Sequence, residues 1–350
     1  MNYFIGEPKK SDIRTATSKP RTDVTEVLEK LGFVRLEVPK AWTTPEGNTL
    51  TRGLGLYLQL NEKIKMLKPG DKLFFQFPTP NSLFLKRILK KLHKKQVEAL
   101  VLVHDLQYIR YKDDPSFSKF AKLKFKMKES TLLNEYNKII VHNEAMKKEM
   151  ISWGISKDKL ISLGLFDYLT SSPVAQSDTE NSIIIAGNLA ENKAGYAYKL
   201  PKSPKYRLYG VNYAENNAKN AANVTYHGSF KAEDVSTMKG RFGLVWDGTS
   251  VDTCAGNFGN YLRYNNPFKF SMYMAAELPV IVWSKSALAA FVEEHKVGLA
   301  VDSLNDVPAL LAKMTDADYQ QIKANVKVIS QKVRQGSFTE EAVLKAIKGA

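Results

Sequence analysis

Residues 99–103 read ALVLV, residues 117–137 FSKFAKLKFKMKESTLLNEYN, residues 139–141 IIV and residues 144–153 EAMKKEMISW. The first and third runs are short, continuous and aliphatic, as in strands covered on both faces. The second and fourth are longer and mix charge with apolar residues, and Gly154 stops the fourth, as happens at helix ends. Strand, helix, strand, helix at this spacing is the signature of a parallel sheet wrapped by helices.

The alternation extends both ways. Toward the amino terminus, 3–5, 33–38 and 72–77 read as strands, and 23–31, 54–67 and 83–95 as helices, with breaks at Gly32, Pro69-Gly70 and Pro78. Segment 168–181 interrupts the pattern with Ser171, Ser172, Pro173, Ser177 and Asp178, and reads as a linker. Beyond it, 183–186, 206–209, 224–226, 242–246, 280–283 and 299–301 read as strands. Helices are expected at 269–276, 286–295, 307–314, 317–334 and 339–347. A chain of 350 residues suits two domains. The expected division is a first domain over 1–167, a linker over 168–181, a second domain over 182–335 and a closing helix over 336–350. Fold analogy brings that helix back onto the first domain.

Composition excludes several classes. Hydrophobic residues at 44% and charged residues at 25% argue against wholesale disorder. One cysteine, Cys254, excludes a disulfide framework and a cysteine-rich zinc site. Five histidines without H-E-x-x-H leave little for a metal centre, so no metal and no cofactor is expected. Residues 1–10 lack a secretory pattern and no run reaches about 18 apolar residues, so a cytoplasmic protein is expected. Net charge is +15, yet residues 1–150 hold 29 basic and 17 acidic groups, or +12, against +3 for the remainder. A one-sided excess suggests one domain facing an anionic surface or partner. Its focus is Lys86, Arg87, Lys90, Lys91, Lys94 and Lys95 around Leu85, Ile88, Leu89 and Leu92. Such a helix is either a solvated cover of the core or a contact with an acidic protein partner or an anionic leaflet at the inner membrane surface. Lys119, Lys122, Lys124, Lys126 and Lys128 form a second cluster. No nucleic-acid-binding signature is present.

In open α/β sheets, ligands bind beyond the carboxyl ends of the strands, so the residues there are the candidates. After 183–186 come Gly187, Asn188 and Lys193, either a polar turn or a grip on phosphate or sugar. Tyr226 ends the 224–226 strand and is either core or a stacking surface; Ser229 follows. Pro267 is expected at the first position of a helix, with Lys269 and Ser271 in its first turn. A lysine there opposes the helix dipole, which an anion bridging the two would explain. His104-Asp105 follow the 99–103 strand, where Asp105 serves as a base with His104 orienting, the roles reverse, or Asp105 merely caps. Thr15, Thr17 and Lys19 form a polar loop, either acceptor-binding or plain surface. The G-x-G-x-x-G and G-x-x-x-x-G-K-[ST] fingerprints are absent.

The runs HGSF (227–230), FGLVWDG (242–248), CAGNFGNYLRYNNP (254–267), LPVIVWSKSALAAFV (278–292) and GLAVDSL (298–304) resemble one family. It comprises bacterial glycosyltransferases that extend O-linked N-acetylglucosamine (GlcNAc) on serine-rich-repeat adhesins, with relatives labelled galactofuranosyltransferases. GNL (187–189) and HD (104–105) fit as well. The resemblance implies a GT-B fold, two Rossmann-like domains facing across a cleft, with the acceptor on the first and the nucleotide-sugar on the second. It implies a UDP-sugar donor, no metal, and a homo-oligomer, dimer or tetramer. It places Asn188, Lys193, Tyr226, Lys269 and Ser271 at the donor. The glutamate that many retaining GT-B enzymes carry at the start of the Lys269 helix is missing, which favours inversion. Three functions stay open: transfer of glucose or GlcNAc to GlcNAc on an adhesin, transfer of galactofuranose or another sugar to a membrane-borne glycan, or non-enzymatic binding.

Overall fold

The computed structural model describes residues 1–6, 18–38, 49–79, 82–176, 178, 180–214 and 221–348. Two six-stranded sheets, parallel throughout, form its frame. The first holds β1 (Asn2–Gly6), β2 (Val34–Glu37), β3 (Lys72–Phe77), β4 (Glu98–Val103), β5 (Lys138–Val141) and β6 (Leu160–Ser162), in the order β2-β1-β3-β4-β5-β6. The second holds β7 (Ser182–Asn188), β8 (Lys205–Val211), β9 (Val224–Tyr226), β10 (Phe242–Val245), β11 (Val280–Trp283) and β12 (Gly298–Val301), in the order β12-β11-β10-β7-β8-β9. Each order reverses once, between β1 and β3 and between β7 and β10, and such switch points open a crevice at the strand ends. The central strands are buried on both faces, which is why they read as unbroken aliphatic runs: Ala99 to Val103 and Ile183 to Ala186 are all 2% exposed or less.

Strand β6 was not expected; three residues, LIS, are too short to carry a period. The stretch around Gly256, Gly259 and Asn260, expected as a loop, instead contains the helix Gly256–Tyr261. Pro267 is the residue before its helix, with ψ 130°, so Phe268–Ala275 begins one residue later than expected.

The linker is not a free tether. Tyr168 and Leu169 are buried; the Tyr168 N–H donates to the Val333 carbonyl, and its ring stacks on Phe268. Lys19 donates to the Leu169 carbonyl at 2.7 Å and to Asp23 at 2.9 Å, while Asp23 accepts from the Leu169 N–H. The helix Asp316–Gln335 ends at Gly336, whose φ of 88° suits glycine alone. The helix Ser337–Lys348 then packs on β5, β6 and the helix Lys19–Lys30 of the first domain. Its first N–H groups, those of Phe338 and Thr339, donate to the buried Asp167 carboxylate.

The cationic helix Leu85–Lys94 is largely spent on the protein itself. Leu85, Ile88, Leu89 and Leu92 are 2% exposed or less. Lys86 pairs with Glu135 at 3.0 Å, Lys91 donates to Tyr57 at 2.8 Å, and Lys95 donates to the carbonyls of Ile64 and Lys65. With its apolar face buried and two of its lysines engaged, this helix fits the reading of a solvated cover of the core better than that of a leaflet contact.

Candidate active site

A cleft of 730 Å³ lies between the domains, lined from the first by the ends of β3, β4 and β5 and from the second by the ends of β7, β8 and β10. Its floor carries charge. Lys269 donates to Asp247 at 2.8 Å and to the Trp246 carbonyl at 3.0 Å. Arg110 pairs with Asp105 at 2.6 Å, and the other Asp105 oxygen accepts from the Tyr261 hydroxyl at 2.7 Å. Lys193 lies over the Phe258 ring, and among the described residues its ammonium has no hydrogen-bond acceptor. Asp247 supports the Lys193 charge, but burial and the nearby Lys269 and Arg110 outweigh it and hold the lysine below its ordinary pKa. Arg21 lines the same cleft, so four cations stand against two carboxylates, a positive excess that favours an anion.

Asn188 reaches the same cleft from the end of β7. Gly187 beside it has φ 130° and open space where a Cβ would stand. Its partner across the ladder, Gly210, has φ 149°, and a Cβ there would meet the Gly187 carbonyl oxygen at 1.8 Å. Both positions therefore require glycine, and the rim of the cleft is bare backbone.

Both cleft histidines are neutral. His104 Nε2 donates to Gln76 Oε1 at 2.7 Å, since the Gln76 amide nitrogen is directed to the Arg21 carbonyl and Thr25. Burial, reinforced by Arg21 and His142, pushes its pKa well below the histidine range. His142 Nδ1 accepts the Asn266 backbone N–H at 2.9 Å, and burial takes it down to about 3. Asn266 in turn donates to the His142 and Gly164 carbonyls. Asn143 donates to Asn266 and the Tyr264 carbonyl, so the loop before Phe268 is laced to the first domain.

Among the residues singled out from sequence, Asp105, His104, Asn188, Lys193 and Lys269 meet in the cleft. Three do not. Lys19 is 8% exposed and serves the Leu169 crossing. Tyr226 does not line the cleft itself: on the edge strand β9, its hydroxyl donates to the carbonyl of Gly210, which does, and its ring tilts onto Tyr213. Ser271 is 2% exposed; two residues beyond Lys269, it faces the other side of the helix. Thr15 and Thr17 lie outside the described residues. The lysine at the helix start has a resident counter-ion, Asp247, so no ligand is needed to account for it. Asp247 and Arg110 escaped the sequence reading, although Asp247 follows a strand end, where the carboxyl-end rule directs attention.

Residues 2–165 match the N-terminal domain of the glucosyltransferase 3-like family, and residues 183–346 match its C-terminal domain. The chain belongs to this family. Beta-1,6-galactofuranosyltransferase WbbI of Escherichia coli (strain K12) is 35% identical over 99% of this chain and 98% of its own. Glucosyltransferase 3 of Streptococcus gordonii is 24% identical over 93% and 92%. Among solved structures, sucrose-phosphate synthase from Thermosynechococcus elongatus superposes with a TM-score of 0.63 at 13% identity, covering 98% and 97%. The lipopolysaccharide outer core galactosyltransferase WaaB gives 0.62 at 10%, covering 99% of each chain. The fold is GT-B, and the chain is a glycosyltransferase.

Proposed function

We propose that the protein transfers a hexosyl group from a UDP-sugar to a hydroxyl of a glycan, galactofuranose being favoured over glucose. The positive excess at Lys193, Lys269 and Arg110 carries the donor reading. The full-length, 35% identical galactofuranosyltransferase supports the sugar and the glycan acceptor, and UDP bound to the fold neighbour HepE from Anabaena supports the nucleotide. Glucose transfer to GlcNAc on a serine-rich adhesin is the second reading, favoured by the two glucosyltransferase 3 relatives.

In the proposed reaction the anomeric carbon–oxygen bond to the diphosphate breaks as the acceptor oxygen bonds to that carbon. Lys193, with Lys269 behind it, meets the charge growing on the departing UDP. The acceptor proton passes to Asp105, which Tyr261 and Arg110 hold at the first-domain wall. His104, neutral and tied to Gln76, holds its ring as a wall. The cations do the work a metal does elsewhere, so no divalent ion is required.

The test is UDP release from a panel of UDP-sugars, galactofuranose, galactopyranose, glucose and GlcNAc, against glycan and GlcNAc-peptide acceptors. Galactofuranosyl transfer to a glycan supports the first reading. Glucosyl transfer confined to the peptide establishes the second, and no UDP binding at all overturns both.

A further inference from the structure

The helix Lys119–Leu133 is built the wrong way round for a helix that only covers a core. Its inner face is secured: Leu132 and Leu133 are buried, and the Glu129 carboxylate accepts the Gln107 and Tyr108 N–H groups at 2.7 and 3.0 Å. Phe125 packs inward on Tyr111 and Phe117. Its outer face is nonetheless apolar. Phe120 is 78% exposed, Leu123 51% and Met127 59%. At about 100° per residue these three fall within a narrow outward arc. Lys119, Lys122 and Lys126 flank that arc on one side and Lys124 and Lys128 on the other. No acidic residue lies between positions 119 and 128.

A ridge of Phe, Leu and Met between two rows of lysine has a specific physical use. The ridge removes apolar area from water only by entering something apolar, and the lysine stems can follow it while their ammonium groups stay outside. A convex ridge has no groove of its own to receive a partner's side chains. The complementary surface is flat, apolar below and anionic at its rim. The geometry points to the helix Lys119–Leu133 as a membrane-docking element that seats Phe120, Leu123 and Met127 below the headgroups of an anionic leaflet. The element is coupled to the reaction centre. Glu129 grips the first turn of Gln107–Tyr111, which starts two residues after Asp105 and carries Arg110. Docking therefore sets the acceptor wall of the cleft beside the leaflet, where a glycan carried on lipid would be presented. That last consequence rests on the glycan-transfer reading; the docking does not.

The experiment is sedimentation of the intact protein with phosphatidylcholine vesicles, with and without phosphatidylglycerol. Two variants accompany it: Phe120→Ser/Leu123→Ser/Met127→Ser, and Lys119→Gln/Lys124→Gln/Lys128→Gln. All six side chains lie on the outer arc, so unchanged melting temperatures check that the fold is kept. The parent should partition onto anionic vesicles only. Each lysine removed should lower the partition roughly fivefold, and the ridge variant should lose it by more than about tenfold. In a Phe120→Trp protein, fluorescence should shift to the blue on anionic vesicles. Equal partition onto both vesicle types, a ridge variant that binds like the parent, or no vesicle binding by the parent would overturn the proposal. Self-association lost in the ridge variant without vesicle binding would assign the ridge to a second copy instead. UDP binding measured without vesicles reports on the donor reading separately.

Discussion

Lys193 and Lys269 stand together in the cleft but should respond in opposite ways to truncation. Lys269 is half of a buried pair: its side chain is 15% exposed and that of Asp247 9%. Lys269→Ala leaves the carboxylate without its hydrogen-bonded cation, a change that costs about 3–5 kcal/mol in buried pairs. Lys193 still attracts Asp247, so about 3 kcal/mol is the expected loss. At roughly 2–4 °C per kcal/mol for a domain of this size, melting should fall by about 6–12 °C. Lys193→Ala gives up attraction to Asp247, but it removes no hydrogen bond and relieves burial of a charge and repulsion with Lys269 and Arg110, which together outweigh that attraction, so melting should hold within about 2 °C. Binding should divide differently. Lys193 is the cation left to meet a diphosphate, and a charge-assisted hydrogen bond contributes about 1.5–3 kcal/mol. Lys193→Ala should weaken UDP by about 10–100-fold and leave uridine untouched. Differential scanning calorimetry gives the first quantity and titration calorimetry with UDP and uridine the second. A Lys269→Ala protein that melts like the parent would refute the buried-pair argument. Unchanged UDP affinity in Lys193→Ala would remove the positive excess as the donor site.

Asp105→Asn should lower turnover by about 10²–10⁴-fold with little effect on UDP binding; near-parent rates would move the proton acceptor to the unprotonated Nδ1 of His104. Activity should persist in excess EDTA, and loss that manganese restores would show that the cations do not suffice. Burial raises Asp167 to about 7. Its folded pKa is above the unfolded one, so its stabilising contribution is full in acid and is lost as pH rises through about 7. Between pH ~4 and ~7 the parent should therefore lose more stability in urea than Asp167→Asn; equal losses would show that Asp167 does not titrate in that window. Gly210→Ala should unfold the β7–β8 edge, because its Cβ has no space beside Gly187; normal melting would contradict the close approach of the two strands.

The frame was legible because buried parallel strands write themselves as aliphatic runs, and β4, β5, β7 and β11 have little else in them. Cleft residues at strand ends, Asp105 and Asn188 among them, could be found from the same rule that placed the strands. Pairing could not. Nothing local in FGLVWDG says that Asp247 will meet Lys269 twenty-two residues later, and so the lysine seemed to ask for a ligand. Lys19 misled for a related reason, since one of its two partners is a carbonyl 150 positions away. Tyr226 fell at a strand end, as a binding residue would, but on the edge strand β9, and lateral order in a sheet is not written in the strand itself.

The helix Ser337–Lys348 gives the chain an unusual order of assembly. Phe4, Val24 and Leu28 of the first domain share a cluster with Ala342, Val343 and Ala346, which follow the second domain. A first domain emerging from the ribosome thus exposes that apolar face throughout synthesis of the second, and closes it only when the helix Ser337–Lys348 has followed. The two halves, although separate in their sheets, mature as one unit. A truncation before 337 acts on the domain that was translated before the second.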